Sequence, residues 1–138
     1  MAKILIIAQA PPLKSQTRPM DSTLFETWLK DAGYQFDNLE DVFEFEAVYD
    51  KFPGKTRYGA HRAPSKKQRD EHWPVLETKI LAAEKIWVMG NTAYDYVIDK
   101  ILPLRKDFIW TMHPSRRNLH KYRQQKDEII KLIKHLLS

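Results

Sequence analysis

The sequence predicts an α/β protein, a three-layer α/β/α sandwich with a central four-stranded parallel sheet. Apolar runs with the length of buried strands alternate four times with helical patterns, which favours a parallel sheet with helices on both faces. Two of these runs, residues 3–8 and 85–89, are almost continuously apolar, as parallel strands covered on both faces are. The 138 residues, 43% of them hydrophobic, suffice for a single domain over residues 1–138 with a sizeable core.

The first half of the chain should supply two strands and one helix. The strand at residues 3–8 leads into a loop rich in Pro, Lys, Ser and Thr. Asp21 or Ser22 can then cap a helix that runs to Ala32. Residues 42–49 alternate between aromatic and more polar side chains, which indicates a strand near a sheet edge.

The second half should supply the remaining elements. Ser65 can cap a helix in which Pro74 is expected to cause a kink or a restart. The later elements are a strand over residues 85–89, a helix over 93–102, a strand over 108–112 and a helix over 119–137. Trp87 and Trp110 are expected in the core, and His72 in a loop or at the surface. The core face of the last helix is expected to comprise Ile129, Ile130, Leu132, Ile133, Leu136 and Leu137.

Charge is unevenly distributed along a chain whose formal net charge is +5. Residues 21–50 carry nine acidic and one basic side chain, whereas residues 51–69 carry seven basic and no acidic ones. Such clustering indicates a polyanionic partner, most often nucleic acid, with ordinary surface charge as the alternative. The loop at residues 51–64 is long for a compact domain and interleaves aromatic side chains with cations, a pattern suited to phosphates and unstacked bases. Its candidate DNA-binding residues are Lys51, Lys55, Arg57 and Arg62.

Several function classes are excluded by composition. The chain has no cysteine, so disulfides, thiolate metal sites and cysteine nucleophiles are absent. The histidines show no metal-ligand spacing, and neither a metal nor another cofactor is expected. No stretch approaches the roughly 20 apolar residues of a membrane span, and the first apolar run is too short for a signal sequence. The expectation is therefore a cytoplasmic monomer, nucleoid-associated if prokaryotic, without a membrane partner.

The last predicted strand ends in a concentration of polar side chains. Pro114 disfavours the helical region for His113, so the chain should turn as the strand ends. An imidazole, a hydroxyl, two guanidiniums and an amide follow on one short loop, residues 113–118. Ligands bind α/β proteins outside the carboxyl ends of the strands, where the loops beginning at Gln9 and Gly90 should also open. The alternative is a surface turn with a solvated arginine pair.

Three motifs then appear in order over nearly the whole chain. Residues 6–12 look like the first-strand motif, G-E-A-P-G, of the thermostable iron–sulfur branch of the uracil-DNA glycosylase superfamily. Residues 86–93 look like that branch's strand, glycine and helix start, and residues 113–115 match the superfamily's last motif. Residues 116–118, which follow this motif, are similar to the residues at the same place in the superfamily's single-strand-selective branch. The chain therefore resembles the uracil-DNA glycosylase superfamily.

The resemblance implies a DNA partner, with a nucleotide flipped from the strand and its N-glycosidic bond hydrolysed in a pocket. It implies that His113 donates to the oxygen of the departing base and that Gln9 holds a water or contacts the base edge. The implied base pocket comprises Ala8, Ala10, Pro11, Pro12, Met20, Ala47 and Asn91. The residues implied to grip the DNA backbone are Ser115, Arg116, Arg117 and Asn118.

The chain departs from the superfamily's pattern at three of these positions. Ala10 stands where strongly active members carry Asp or Asn to act on water. Met20 corresponds to an aromatic that stacks on the base, and Ala47 to an asparagine that reads uracil. A non-catalytic nucleic-acid-binding module that keeps the fold is therefore the alternative function. A small nucleotide-binding or nucleoside-processing protein is a third.

Overall fold

A computed structural model of the chain describes residues 3–10, 20, 22–51, 53–54 and 62–138. Its centre is a four-stranded sheet in the order β2-β1-β3-β4, in which every neighbouring pair is parallel. The strands are β1 (Ile4–Ala8), β2 (Phe43–Ala47), β3 (Lys85–Met89) and β4 (Asp107–Thr111). The predicted fold class is confirmed, and β2 lies at a sheet edge as its alternating pattern indicated.

Helices cover both faces of this sheet. They are α1 (Ser22–Asp31), α2 (Lys66–Ala82), α3 (Asn91–Ile101) and α4 (Leu119–Leu137), joined in the described part by 3₁₀ turns at Leu39–Asp41, Leu102–Leu104 and Arg116–Asn118. Side chains of α1 and α4 share one apolar core with Ile6 of β1, and side chains of α2 and α3 share the other with Ile7. Successive residues of β1 thus enter opposite layers, which explains why its sequence is apolar throughout. None of the described helices combines the length and apolar character needed to cross a bilayer.

The start of α2 follows the predicted cap, and of the two outcomes expected at Pro74, a kink or a restart, the structure contradicts the restart. Ser65 Oγ accepts from the Gln68 backbone N at 3.2 Å, and Gln68 Oε1 accepts from the Ser65 backbone N at 2.9 Å, forming a capping box. The restart expected at Pro74 is wrong, because α2 continues through this residue as one helix. Burial of Leu76 and Ile80 against the sheet stabilises the turns beyond it, which offsets the missing hydrogen bond.

Three of the core predictions are also wrong. Trp110 is 42% exposed because it lies on the edge strand β4, which has a neighbour on only one side. Leu132 is 37% exposed, because it lies on the side of α4 that turns away from the buried residues. His72, expected at the surface, is only 7% exposed because it pairs with Glu46 beneath α2. Trp87 is fully buried, as predicted.

Candidate functional site at the carboxyl edge of the sheet

A cleft of about 1420 Å³ opens where β1, β3 and β4 end. Gln9 and Ala10 reach it from β1, Gly90 and Asn91 from β3, and the segment 111–118 from β4. The register of the sheet explains this convergence, since β1 and β4 both pair with β3 in parallel and all three strands point to the same edge. The structure therefore brings Gln9, Asn91 and His113 to one cavity.

The turn after β3 lies directly against the turn after β4. Gly90 has φ = +86°, a conformation that side chains rarely adopt, and its N–H donates to the Thr111 carbonyl at 2.9 Å. A Cβ added to Gly90 would stand 3.7 Å from the Cβ of His113. The glycine thus allows the backbone turn that places the start of α3 beside the Cβ of His113.

Internal hydrogen bonds hold the turn after β4. Asn118 Nδ2 donates to the backbone carbonyl of His113 at 2.8 Å, and Asn118 N donates to the Ser115 carbonyl at 3.0 Å. Pro114, which lies between His113 and Ser115, is buried. Asn118, predicted to contact DNA, therefore uses one of its amide hydrogens to fix the turn that carries the histidine.

The end of β4 is fixed from inside the core. Trp87 Nε1 donates to Thr111 Oγ1 at 2.9 Å, and this hydroxyl donates to the Met112 carbonyl at 2.9 Å. Both Trp87 and Thr111 are buried, so the hydroxyl satisfies an indole N–H that has no access to water. His113 lies two residues after Thr111, so these hydrogen bonds fix the backbone just before the histidine.

The cleft carries three cations and two carboxylates among its described residues. Arg116, Arg117 and Lys121 are exposed, and none forms an ion pair with a carboxylate in the described part of the chain. The carboxylates are Glu40 and Glu128. Exposed cations at one rim of a cleft attract an anionic ligand and add little strain to the fold, since they stay hydrated when the cleft is empty.

Comparison with known protein families gives one finding. The sequence model of the Uracil DNA glycosylase superfamily matches residues 1–137. The chain belongs to the uracil-DNA glycosylase superfamily. A search of curated proteins gives no match to the chain. Membership fixes the fold family and a glycosylase-like domain type, and members of this superfamily act on DNA.

The cleft of this superfamily member contains part of the predicted base pocket. Ala10, Met20 and Asn91 line the cleft. Ala8 and Ala47 do not line it, because they are paired in register at the ends of β1 and β2 and are buried. The predicted pocket residues Pro11 and Pro12 lie outside the described residues.

The predicted DNA-binding residues divide into two groups. Ser115, Arg116 and Arg117 line the cleft together with Asn118. Lys51 and Arg62 are exposed but do not line it, and Arg62 Nη2 donates to the Pro53 carbonyl at 2.6 Å. The predicted contacts Lys55 and Arg57 lie outside the described residues.

One wall of the cleft was missed at the sequence level, although a signal for it exists. Lys121, Gln125, Glu128 and Leu132 line the cleft from α4, and their spacing of four, three and four places them on one helix face. The backbone at Gln125 departs from helical geometry (φ −111°, ψ 15°), so α4 is kinked beside the cleft. The exposed Trp110 also lines it.

A second cluster of charged groups lies outside the cleft, between β2 and α2. Glu46 Oε1 is 3.0 Å from His72 Nε2, Glu46 Oε2 accepts from Lys79 Nζ at 2.9 Å, and Glu44 Oε1 lies 3.1 Å from the same ammonium. Burial alone would lower the pKa of Lys79, but hydrogen bonds to Glu46 and Glu44 hold it above its ordinary value. These contacts tie α2 to the edge strand and involve no residue that lines the cleft.

No metal centre is formed by the part of the chain that the structure describes. Within it, no group of three His, Asp or Glu side chains is placed to hold a metal ion. The side chains that line the cleft supply an imidazole, amides, hydroxyls, carboxylates and cations.

Proposed function

We propose that this member of the superfamily binds DNA and hydrolyses the N-glycosidic bond of a damaged or deaminated, uracil-type base that is flipped into the cleft. The observation that carries this proposal is the meeting of Gln9, Asn91 and His113 in one cavity with Arg116 and Arg117 at its rim. Family membership supports the same reaction class.

His113 is the proposed catalytic donor. As the bond to the sugar breaks, the departing base develops negative charge on its oxygen, and an aimed imidazole N–H stabilises that charge more in the transition state than in the substrate. The tie from Asn118 to the His113 carbonyl restricts the turn that carries the ring. Losing one donor of this kind typically costs about 10²–10³ in rate.

Gln9 is the proposed partner on the opposite loop. Its side-chain amide offers both a donor and an acceptor, so it can contact the edge of the base or orient a water toward the sugar. Ala10, next to it, supplies no polar group. The described carboxylates of the cleft, Glu40 and Glu128, are the proposed anionic groups for the oxocarbenium-like sugar.

The cations of the cleft are the proposed phosphate contacts. Flipping a nucleotide costs a few kcal/mol, which contacts to the flanking phosphates must offset. Arg116 and Arg117 follow Ser115 on the 3₁₀ turn, and Lys121 lies on the first turn of α4, so the cations form a short positive rim. DNA affinity should therefore fall steeply as salt rises.

A non-catalytic DNA-binding module is the second candidate function, and Ala10 is the observation that favours it. An alanine at this place cannot activate water, so the cleft would retain phosphate binding and base capture without efficient bond cleavage. Both functions use the cations to bind phosphate, and they differ only in whether the N-glycosidic bond is hydrolysed.

Base release from oligonucleotides separates the two. The purified protein is incubated with single- and double-stranded oligonucleotides that contain uracil, hypoxanthine or xanthine, and abasic sites are then cleaved with alkali. Strand breaks at one of these bases, reduced in Glu40→Gln or Glu128→Gln, are the expected result. DNA binding without breaks at any base would contradict the glycosylase proposal and support the binding module.

A further inference from the structure

The edge of the cleft carries a stacked aromatic pair. The rings of Tyr94 and Trp110 have centroids 3.7 Å apart and planes inclined by 14°. Trp110 is nevertheless 42% exposed, whereas Trp28 and Trp87 are at most 2% exposed. One large flat ring is thus supported from one side and open to solvent elsewhere.

The position of this pair connects it to the cleft. Trp110 lies next to the last residue of β4, opposite Val88 in register, and itself lines the cavity. Tyr94 lies on the first turn of α3, where its N–H donates to the Gly90 carbonyl at 3.1 Å. The pair therefore stands at the same carboxyl edge as the turns that carry Asn91 and His113.

The edge position of β4 exposes the Trp110 ring, and this exposure is unfavourable for so large an apolar side chain. A large aromatic ring gains stability by leaving water, and here much of its surface stays in water although Tyr94 holds the ring in place. A rigid aromatic face beside unpaired cations is suited to a nucleic-acid base, which stacks through its π-face while the phosphates meet the cations. Arg116, Arg117 and Lys121 line the same cleft.

We propose that Trp110, supported by Tyr94, is a stacking site for a second, unpaired base of single-stranded DNA, next to the nucleotide held in the cleft. This inference rests on the proposed DNA binding by the cleft and adds a preference for unpaired strands. In a duplex each base is stacked on its neighbours, so its face cannot reach the tryptophan. The site selects single strands without reading their sequence, because every base has such a face.

Binding of undamaged DNA tests this site independently of base release. The probes are a fluorescently labelled thymidine homopolymer, the same deoxyribose-phosphate chain without bases, and a duplex of equal length, each titrated by anisotropy. Trp110→Ala should weaken binding of the thymidine strand about 5- to 150-fold, the range for loss of one base–aromatic stack. Trp110→Phe should retain most of the affinity. Leu102→Ala, which removes another exposed apolar side chain outside the cleft, should change nothing.

The strand without bases makes the test specific to stacking. On this probe and on the duplex, Trp110→Ala should bind as the wild type does, and its salt slope on the thymidine strand should be unchanged because no cation is removed. Equal affinity of wild type and Trp110→Ala for the thymidine strand would overturn the inference. Equal weakening on all three probes would also overturn it, since it would indicate a general disturbance of the fold. Neither result bears on the proposed base release, because the probes contain no damaged base. Conversely, the comparison of binding affinities stays valid if the protein releases no base.

Discussion

Asn118 Nδ2 donates a 2.8 Å hydrogen bond to the backbone carbonyl of His113, five residues earlier in the chain. This bond joins the 3₁₀ turn at Arg116–Asn118 to the end of the segment that leaves β4. The same turn carries the arginines proposed to hold phosphate. The side-chain amide of Asn118 therefore links the residue of the proposed catalytic donor to the turn of the proposed phosphate contacts.

Replacing the Asn118 amide should show that it positions His113 and contributes little to DNA binding. In Asn118→Ala the free energy of unfolding should fall by about 0.5–1.5 kcal/mol, the net value of one hydrogen bond. The single-turnover rate of base release should fall by about 10- to 100-fold, because small displacements of a catalytic group are costly, while DNA affinity changes little. Asn118→Asp keeps the size of the side chain but lacks the N–H donor, so its rate should fall as well, and its added negative charge should also weaken DNA binding. A wild-type rate in Asn118→Asp would contradict the positioning role.

The hydroxyl of Thr111 should be needed for stability. Thr111→Val leaves the indole N–H of Trp87 buried without its acceptor, which should lower the free energy of unfolding by about 1–3 kcal/mol. Thr111→Ser keeps the acceptor and is the matched control, with a smaller loss from the missing methyl group. Urea denaturation of the three proteins measures the difference. Equal stability of the valine variant and the wild type would show that the indole finds another partner.

The arginines of the rim should determine the salt dependence of binding. Arg117→Ala removes one cation, so the slope of log K against log salt should decrease by about 0.7 on single strands and about 0.9 on duplex DNA. Arg116→Ala should have a similar effect. Arg123→Ala removes the same charge from an exposed site on α4 that does not line the cleft, and its slope should match the wild type. An equal decrease in Arg123→Ala would mean that net charge, not the cleft, governs binding.

The cluster between β2 and α2 should affect stability at high pH and leave base release unchanged. The pKa of Lys79 is raised above its ordinary 10.5, so the folded protein holds this proton more tightly than the unfolded chain does. The stabilisation is therefore fully present below pH 10.5 and is lost as pH rises through the folded-state pKa.

A lysine-to-methionine exchange measures this contribution. Because Lys79 is a third exposed, Lys79→Met should cost only about 1 kcal/mol at pH 7, and the deficit should shrink above pH 10.5. Lys131→Met, at an exposed site on α4, is the control and should show no such deficit. A deficit that grows above pH 10.5 would contradict the assigned direction.

Much of the scaffold was predictable because local patterns determine it. The sequence predicts two elements with the bounds that the structure shows, the strand at residues 85–89 and the helix at residues 119–137. Each has a clear hydrophobic pattern and clear end residues. The meeting of the three strand ends followed from parallel topology alone. These features depend on residues close together in sequence or on a general rule of α/β folds.

The details that were not predicted depend on distant parts of the chain. The exposure of Trp110 follows from the edge position of β4, which sequence period does not reveal. The burial of His72 depends on Glu46, 26 residues away. Ala8 and Ala47 do not line the cleft, because they pair with each other inside the sheet. This pairing depends on the register between β1 and β2, which the sequence of one strand alone does not reveal.

Free-base release under single-turnover conditions measures whether His113 acts as the catalytic donor. With enzyme in excess over an oligonucleotide carrying the preferred deaminated base, the rate for His113→Ala should be about 10²–10³ lower than for the wild type, at nearly unchanged DNA affinity. His120→Ala, an exposed histidine outside the cleft, is the matched control and should retain the wild-type rate. Equal rates for His113→Ala and the wild type would contradict the assignment of the imidazole at the end of β4 as the catalytic donor.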